Sequence, residues 1–114
     1  MSPSPRERRR APRVLADFPI QLNPTQGATP ARLKDLSAIG LCCTTTQQLP
    51  EMALVGIDLQ LPGTSRRHSL QGAVVRCEPA RAEKGSFELA VYFTQIDEVA
   101  RKALGAFVHG AQPV

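Results

Sequence analysis

From residue 14 onward apolar and polar positions alternate in short runs broken by turn residues, and only near the end of the chain does the period lengthen to that of a helix. The clearest alternation, Val55, Ile57, Leu59 and Leu61, is closed by Pro62 and Gly63 and predicts a strand over 54–61. Similar runs predict strands over 29–36, 41–46, 68–77 and 86–94. A further run over 14–22 reads as a strand interrupted at Pro19, because proline cannot donate to a ladder. Residues 23–27 form a turn cluster, and 37–40 join two of the strands. About six short strands with turn signals between them suggest a closed sandwich or small barrel. Ile96, Val99, Ala100, Ala103, Leu104, Phe107 and Val108 then fall at 3.6-residue spacing around Asp97, which suits an N-cap or first-turn position. They predict one helix that closes the barrel and that Gly105 weakens modestly.

Charge changes this picture at one place. Residues 6–13 contain Arg6, Arg8, Arg9, Arg10 and Arg13 against Glu7, while nine basic and nine acidic residues are spread over the rest of the 114-residue chain. The body is therefore neutral and the excess sits on a short arm. A nucleic-acid-binding surface spreads its cations over a face and interleaves aromatics. With five aromatic residues in all, this chain makes nucleic acid an unlikely partner and a small anion the expected one. Residues 1–8 lack apolar anchors and are expected to form a disordered arm, 9–110 one domain, and 111–114 a tail. No run of eighteen apolar residues and no leader pattern is present, so the expectation is no membrane span and a cytoplasmic location. Three cysteines, none in C-x-x-C spacing, fit a reducing compartment, and Cys42 and Cys43 fall on opposite faces of their strand.

Two short motifs carry the candidate chemistry: Arg9 and Arg13 in R-x-x-x-R spacing, and Asp35, Ser37 and Gly40 in D-x-S-x-x-G. Guanidinium groups grip phosphate oxygens and stack on aromatic rings, and a carboxylate accepts hydrogen bonds from the N1 and N2 donors of a guanine. Either motif alone has a plainer reading, as a solvated basic tail or as a local turn in which side chains bond their own backbone. Together they describe a site for a phosphorylated, purine-like ligand. A second R-x-x-x-R frame, Arg6 with Arg10, is also present, but Arg13 adjoins the first strand and ties the later frame to the fold. Pro12 turns Ala11 away from helical geometry, so in an extended arm the Arg9 and Arg13 Cα atoms stand roughly 13–14 Å apart and the arm has to bend around its ligand.

The order and spacing of these motifs resemble the PilZ domain, a bacterial receptor module for cyclic di-GMP. The resemblance continues through Gly72 to Arg76, like the family's G-x-V-V-R strand, and through Phe87 to Phe93, where Ala90 replaces the usual glycine. It implies a six-stranded antiparallel β-barrel with a C-terminal helix and a flexible N-terminal arm. It also implies that Arg9 and Arg13 contact phosphate and stack on guanine, that Asp35 and Ser37 hold the guanine edge, and that Gly40 shapes the turn through a positive φ or close approach to the ligand. Arg76 is expected either to lie against a purine face or to reach solvent. A basic residue just before the first motif arginine favours a stacked pair of nucleotides in the family; Arg8 stands there, with Arg10 beside it, so two cyclic di-GMP molecules per chain are expected.

An enzyme is not expected. His68 and His109 are isolated, Ser37 has no base at a suggestive spacing, and no phosphate-binding loop or Cys/His metal cluster occurs. The expected output is mechanical: an arm ordered by ligand is recognised by a protein partner. The alternative is a nucleotide-independent interaction protein of pilus or flagellar machinery with the same fold.

Overall fold

A computed structural model describes residues 13–24 and 27–111. Its elements in chain order are β1 (Arg13–Leu15), β2 (Pro19–Asn23), β3 (Thr29–Ser37), β4 (Gly40–Thr45), β5 (Leu54–Gln60), β6 (Arg67–Pro79), β7 (Phe87–Gln95) and α1 (Glu98–Ala111). All strand pairs are antiparallel, and the order β3-β2-β5-β6-β7-β4 closes where β4 returns to β3. The result is a six-stranded barrel. β1 and β2 lie along the same edge of β3 and are the two halves of the run predicted over 14–22. The interruption falls two residues before the predicted position. Register moves from Leu15 opposite Asp35 to Pro19 opposite Arg32, so the first strand carries one residue more than β3, and Pro19 begins β2 instead of breaking it. The hydrogen bonds from Ala16 N to Lys34 O and from Leu33 N to Phe18 O leave Asp17 as that extra residue, and its carboxylate pairs with Arg32 Nε at 2.5 Å.

Alternation fills the barrel. Leu22, Leu33, Leu36, Ile57, Leu59, Val74 and Leu89 are all fully buried, each contributing roughly 1.5–3 kcal/mol on burial. Asp97 caps α1, its Oδ1 accepting from Ala100 N at 2.7 Å, as its place in the sequence predicts. The helix turns Ala100, Leu104 and Val108 inward, and Phe107 meets Phe18 edge-to-face with ring centroids 6.2 Å apart. It thereby covers the point where the first strand breaks. No helix among the described residues is long and apolar enough to cross a membrane.

A second pair of irregularities decides what faces outward. Between Leu33 opposite Cys43 and Asp35 opposite Cys42, β3 gains a residue on β4 at Lys34; between Val74 opposite Val91 and Arg76 opposite Ala90, β6 gains one on β7 at Val75. Strict alternation from the buried Leu33 and Val74 would send Asp35 and Arg76 into the barrel. Each bulge instead places two successive side chains outside, Lys34 with Asp35 and Val75 with Arg76, and lets Leu36 and Cys77 resume the inward phase.

Candidate ligand-binding site

The two bulges bring their outward residues to one level of the barrel. Asp35 lies opposite Cys42, Cys42 opposite Ala90 and Ala90 opposite Arg76, a row across β3, β4, β7 and β6 that Leu15 extends onto β1. The next level toward the 37–40 turn runs Arg13, Ser37, then Gly40, Tyr92 and Ala73. The floor of the site is thus built of small residues, and charged side chains stand at its two sides. On one side Arg13 Nη1 is 3.6 Å from Asp35 Oδ1, with the Arg13 side chain 42% exposed and that of Asp35 18%. On the other, Arg76 directs Nη2 at the Cys42 sulfur, 3.8 Å away, and Nε at Glu78 Oε2, 4.0 Å away.

The turn between β3 and β4 is tied by Ser37. Its Oγ accepts from the N–H groups of Ile39 and Gly40 and donates to Gly40 O, all at 3.2 Å, and the residue is 1% exposed. The hydroxyl expected at a guanine edge is therefore engaged in holding the loop beside Asp35. Gly40 departs from expectation in a different way. Among the described residues positive φ occurs at Gly27, Met52, Gly63 and Gly85, and not at Gly40. A Cβ there would lie 2.5 Å from Val91 O, so the approach of the β7 backbone requires glycine, and a left-handed turn does not.

Electrostatics on the floor follow from burial and neighbours. The Cys42 thiol is pushed up by burial and further by Asp35, with Arg76 opposing, and stays protonated at neutral pH. Cys43 points into the core and is pushed up to about 12 by burial. Beyond the row, Lys34 pairs with Glu88; this hydrogen bond holds the Glu88 carboxyl below its usual range and the Lys34 ammonium above its own. These two charges neutralise each other. Lys34 and Glu88 also wall a cleft of about 800 Å³ that Leu15, Glu78 and Arg81 complete on the lower side of the row.

Of the residues predicted from sequence, the structure therefore gathers Arg13, Asp35, Ser37, Gly40 and Arg76 on one outer face. Arg8, Arg9 and Arg10 lie outside the described residues. Two contributors were not predicted: Cys42, which forms the floor, and Tyr92, whose outward position is readable from the inward alternation of Leu89, Val91 and Phe93. Among the described residues no cluster of side chains suits a metal ion.

The family model of the PilZ domain matches residues 7–110. The chain belongs to the PilZ domain family. A comparison with curated proteins gives no significant match. Solved PilZ-fold structures share the architecture at low identity. The PilZ domain of Escherichia coli YcgR with cyclic di-GMP aligns with a TM-score of 0.68 at 16% identity, covering 91% of each chain. The Bacillus subtilis inhibitor of motility MotI aligns with a TM-score of 0.80 at 16% identity, over 90% of this chain and 50% of that one. The complex of Klebsiella pneumoniae MrkH with cyclic di-GMP aligns with a TM-score of 0.70, again at 16% identity, over 90% of this chain and 51% of MrkH. The present PilZ domain thus spans about half the length of MotI and MrkH. At these identities the likeness concerns the fold.

Proposed function

We propose that this PilZ domain is a receptor for cyclic di-GMP and signals without catalysing a reaction. The observation that carries the reading is the pair of bulges that turn Asp35 and Arg76 outward at one level beside Arg13, over a floor of small residues. That arrangement offers a carboxylate to the N1 and N2 donors of a guanine, a flat bed for its ring and guanidinium groups for the phosphates. The PilZ-fold structures of YcgR and MrkH solved with this dinucleotide support the choice of ligand. In the proposal Arg9 and Arg13 bind phosphate and stack on guanine, Asp35 holds the guanine edge, and Ser37 with Gly40 fixes the turn beside it. Calorimetric titration tests this directly. Cyclic di-GMP is expected to bind and GTP and cyclic di-AMP to bind far more weakly; equal affinity for all three, or none for cyclic di-GMP, overturns the assignment.

The same titration gives the stoichiometry. Arg8 precedes the first motif arginine, and a second layer of guanidinium groups from Arg8 and Arg10 neutralises the phosphates of an additional nucleotide and stacks between purines. Two cyclic di-GMP molecules per chain are expected, and Arg8→Leu should move the ratio toward one. A parent protein that saturates at one leaves the receptor reading in place and removes this refinement.

The proposed output is an arm that ligand orders and a partner protein recognises. Arg6 to Arg13 supply several trypsin sites, so cleavage there should slow severalfold at saturating ligand and recover as salt screens the phosphate contacts. Unchanged cleavage sinks the ordering step. The competing view, a nucleotide-independent pilus or flagellar module, gains nothing from a face that keeps Arg13, Asp35 and Arg76 together.

A further inference from the structure

We infer that Tyr92 is the aromatic wall of this site, stacking on a purine base of the cyclic dinucleotide; the inference rests on the receptor reading and adds a residue to it. Four of the five aromatic side chains have other work or are withdrawn. Phe18 and Phe93 are buried, Phe107 packs against the core and Phe87 is half-buried, whereas Tyr92 is 53% exposed. A single exposed aromatic on a strand needs no special explanation in itself. The surroundings of this one single it out.

Tyr92 stands in register with Gly40, the last residue of D-x-S-x-x-G, on one side and with Ala73 on the other, and two residues along β7 from Ala90. Its neighbours across the sheet therefore carry no side chain or a single methyl, so the two positions flanking the ring in register leave a low surface between it and Asp35. Strand spacing of about 4.8 Å and about 3.4 Å per residue put its Cα roughly 12 Å from that of Asp35, two strands away and one level up. A guanine whose edge meets Asp35 extends over Cys42 and Gly40 toward that ring. Val75 and Leu54, 50% and 68% exposed, continue the apolar surface behind Tyr92. Base stacking on an aromatic side chain removes the ring from water on a face that hydrogen bonds do not use, and Arg76 on the adjoining strand supplies positive charge at its margin.

The chain has one tyrosine and no tryptophan, so protein carrying isotope label in tyrosine rings alone yields a single ring spin system. Added cyclic di-GMP should move these ring signals upfield by a few tenths of a ppm through the ring current of the stacked base. In calorimetry Tyr92→Ala should bind about tenfold more weakly than the parent, Tyr92→Phe within about twofold, with both variants melting close to the parent. Ring signals that stay in place at calorimetric saturation, or an affinity unchanged in Tyr92→Ala, overturn the stacking role while the receptor reading stands. A tenfold loss in Tyr92→Phe overturns it too, by assigning the effect to the hydroxyl. Absence of binding by the parent protein overturns the receptor reading and the stacking role together.

Discussion

Asp35→Ala and Arg13→Ala should each weaken cyclic di-GMP binding about ten- to a hundredfold while leaving the barrel folded. Hydrogen bonds to a charged group contribute roughly 1.5–3 kcal/mol each, and both side chains have such bonds to offer at the proposed site. In the free protein they pair with each other at 3.6 Å, with Arg13 42% exposed. The arginine end of the pair is open to solvent while the Asp35 side chain is only 18% exposed, so the pair contributes more than a fully exposed one, whose range is about 0–1 kcal/mol. Loss of Asp35 leaves an arginine that water solvates and costs little stability, whereas loss of Arg13 leaves a largely covered carboxylate and costs somewhat more. Affinity and melting temperature should consequently separate: calorimetry should show the large change and thermal unfolding a small one. A double-substitution cycle on the two positions should give less than the sum of the single losses, because the residues share one ligand and one ion pair. Full affinity in both single variants removes this face as the binding site.

The sequence makes most of the barrel readable because inward and outward positions alternate, and α1 because Asp97 caps a 3.6-residue stripe. Alternation fails where a strand bulges, and the site sits at such places. The steps Leu33-Lys34-Asp35-Leu36 and Val74-Val75-Arg76-Cys77 each put two outward residues between inward ones. Such a pair is visible as a break in phase, yet sequence alone does not tell a bulge from the end of a strand. The split of the first strand is hidden for the same reason: Pro19 is the conspicuous residue, whereas Asp17 is the one without a partner across the ladder. Ser37 and Gly40 are found by their spacing, but a motif names residue types and says nothing of where a hydroxyl points, so the bonds of Ser37 Oγ to the turn backbone come from the structure. For Gly40 the sequence offers a positive φ or close approach to a ligand; the structure removes the positive φ and adds a crowded strand that no motif announces.

Gly40→Ala should destabilise the protein by about 1–3 kcal/mol, the usual cost of adding a methyl where packing leaves no room. Its Cβ would stand 2.5 Å from Val91 O and 3.5 Å from Tyr92 Cα, both backbone atoms of β7. Neither can swing aside as a flexible side chain does. β7 is held there by register with β4 from Gly40 to Thr45 and by the bond from Phe93 N to Ile39 O at 2.9 Å, so the clash is relieved only by moving the 37–40 turn away from the strand. That movement disturbs the three hydrogen bonds of Ser37 Oγ and shifts Asp35 two residues upstream. Ligand affinity should fall with stability even though the glycine offers no side chain to the ligand. Gly105→Ala serves as the control, because an added Cβ there meets nothing within 4 Å and α1 gains up to about 1 kcal/mol in helix propensity. Urea unfolding should therefore move to a lower midpoint for Gly40→Ala and to an equal or higher one for Gly105→Ala. A Gly40→Ala protein that unfolds with the parent would show that β7 yields at this contact, and would return the glycine's role to the ligand side of the turn.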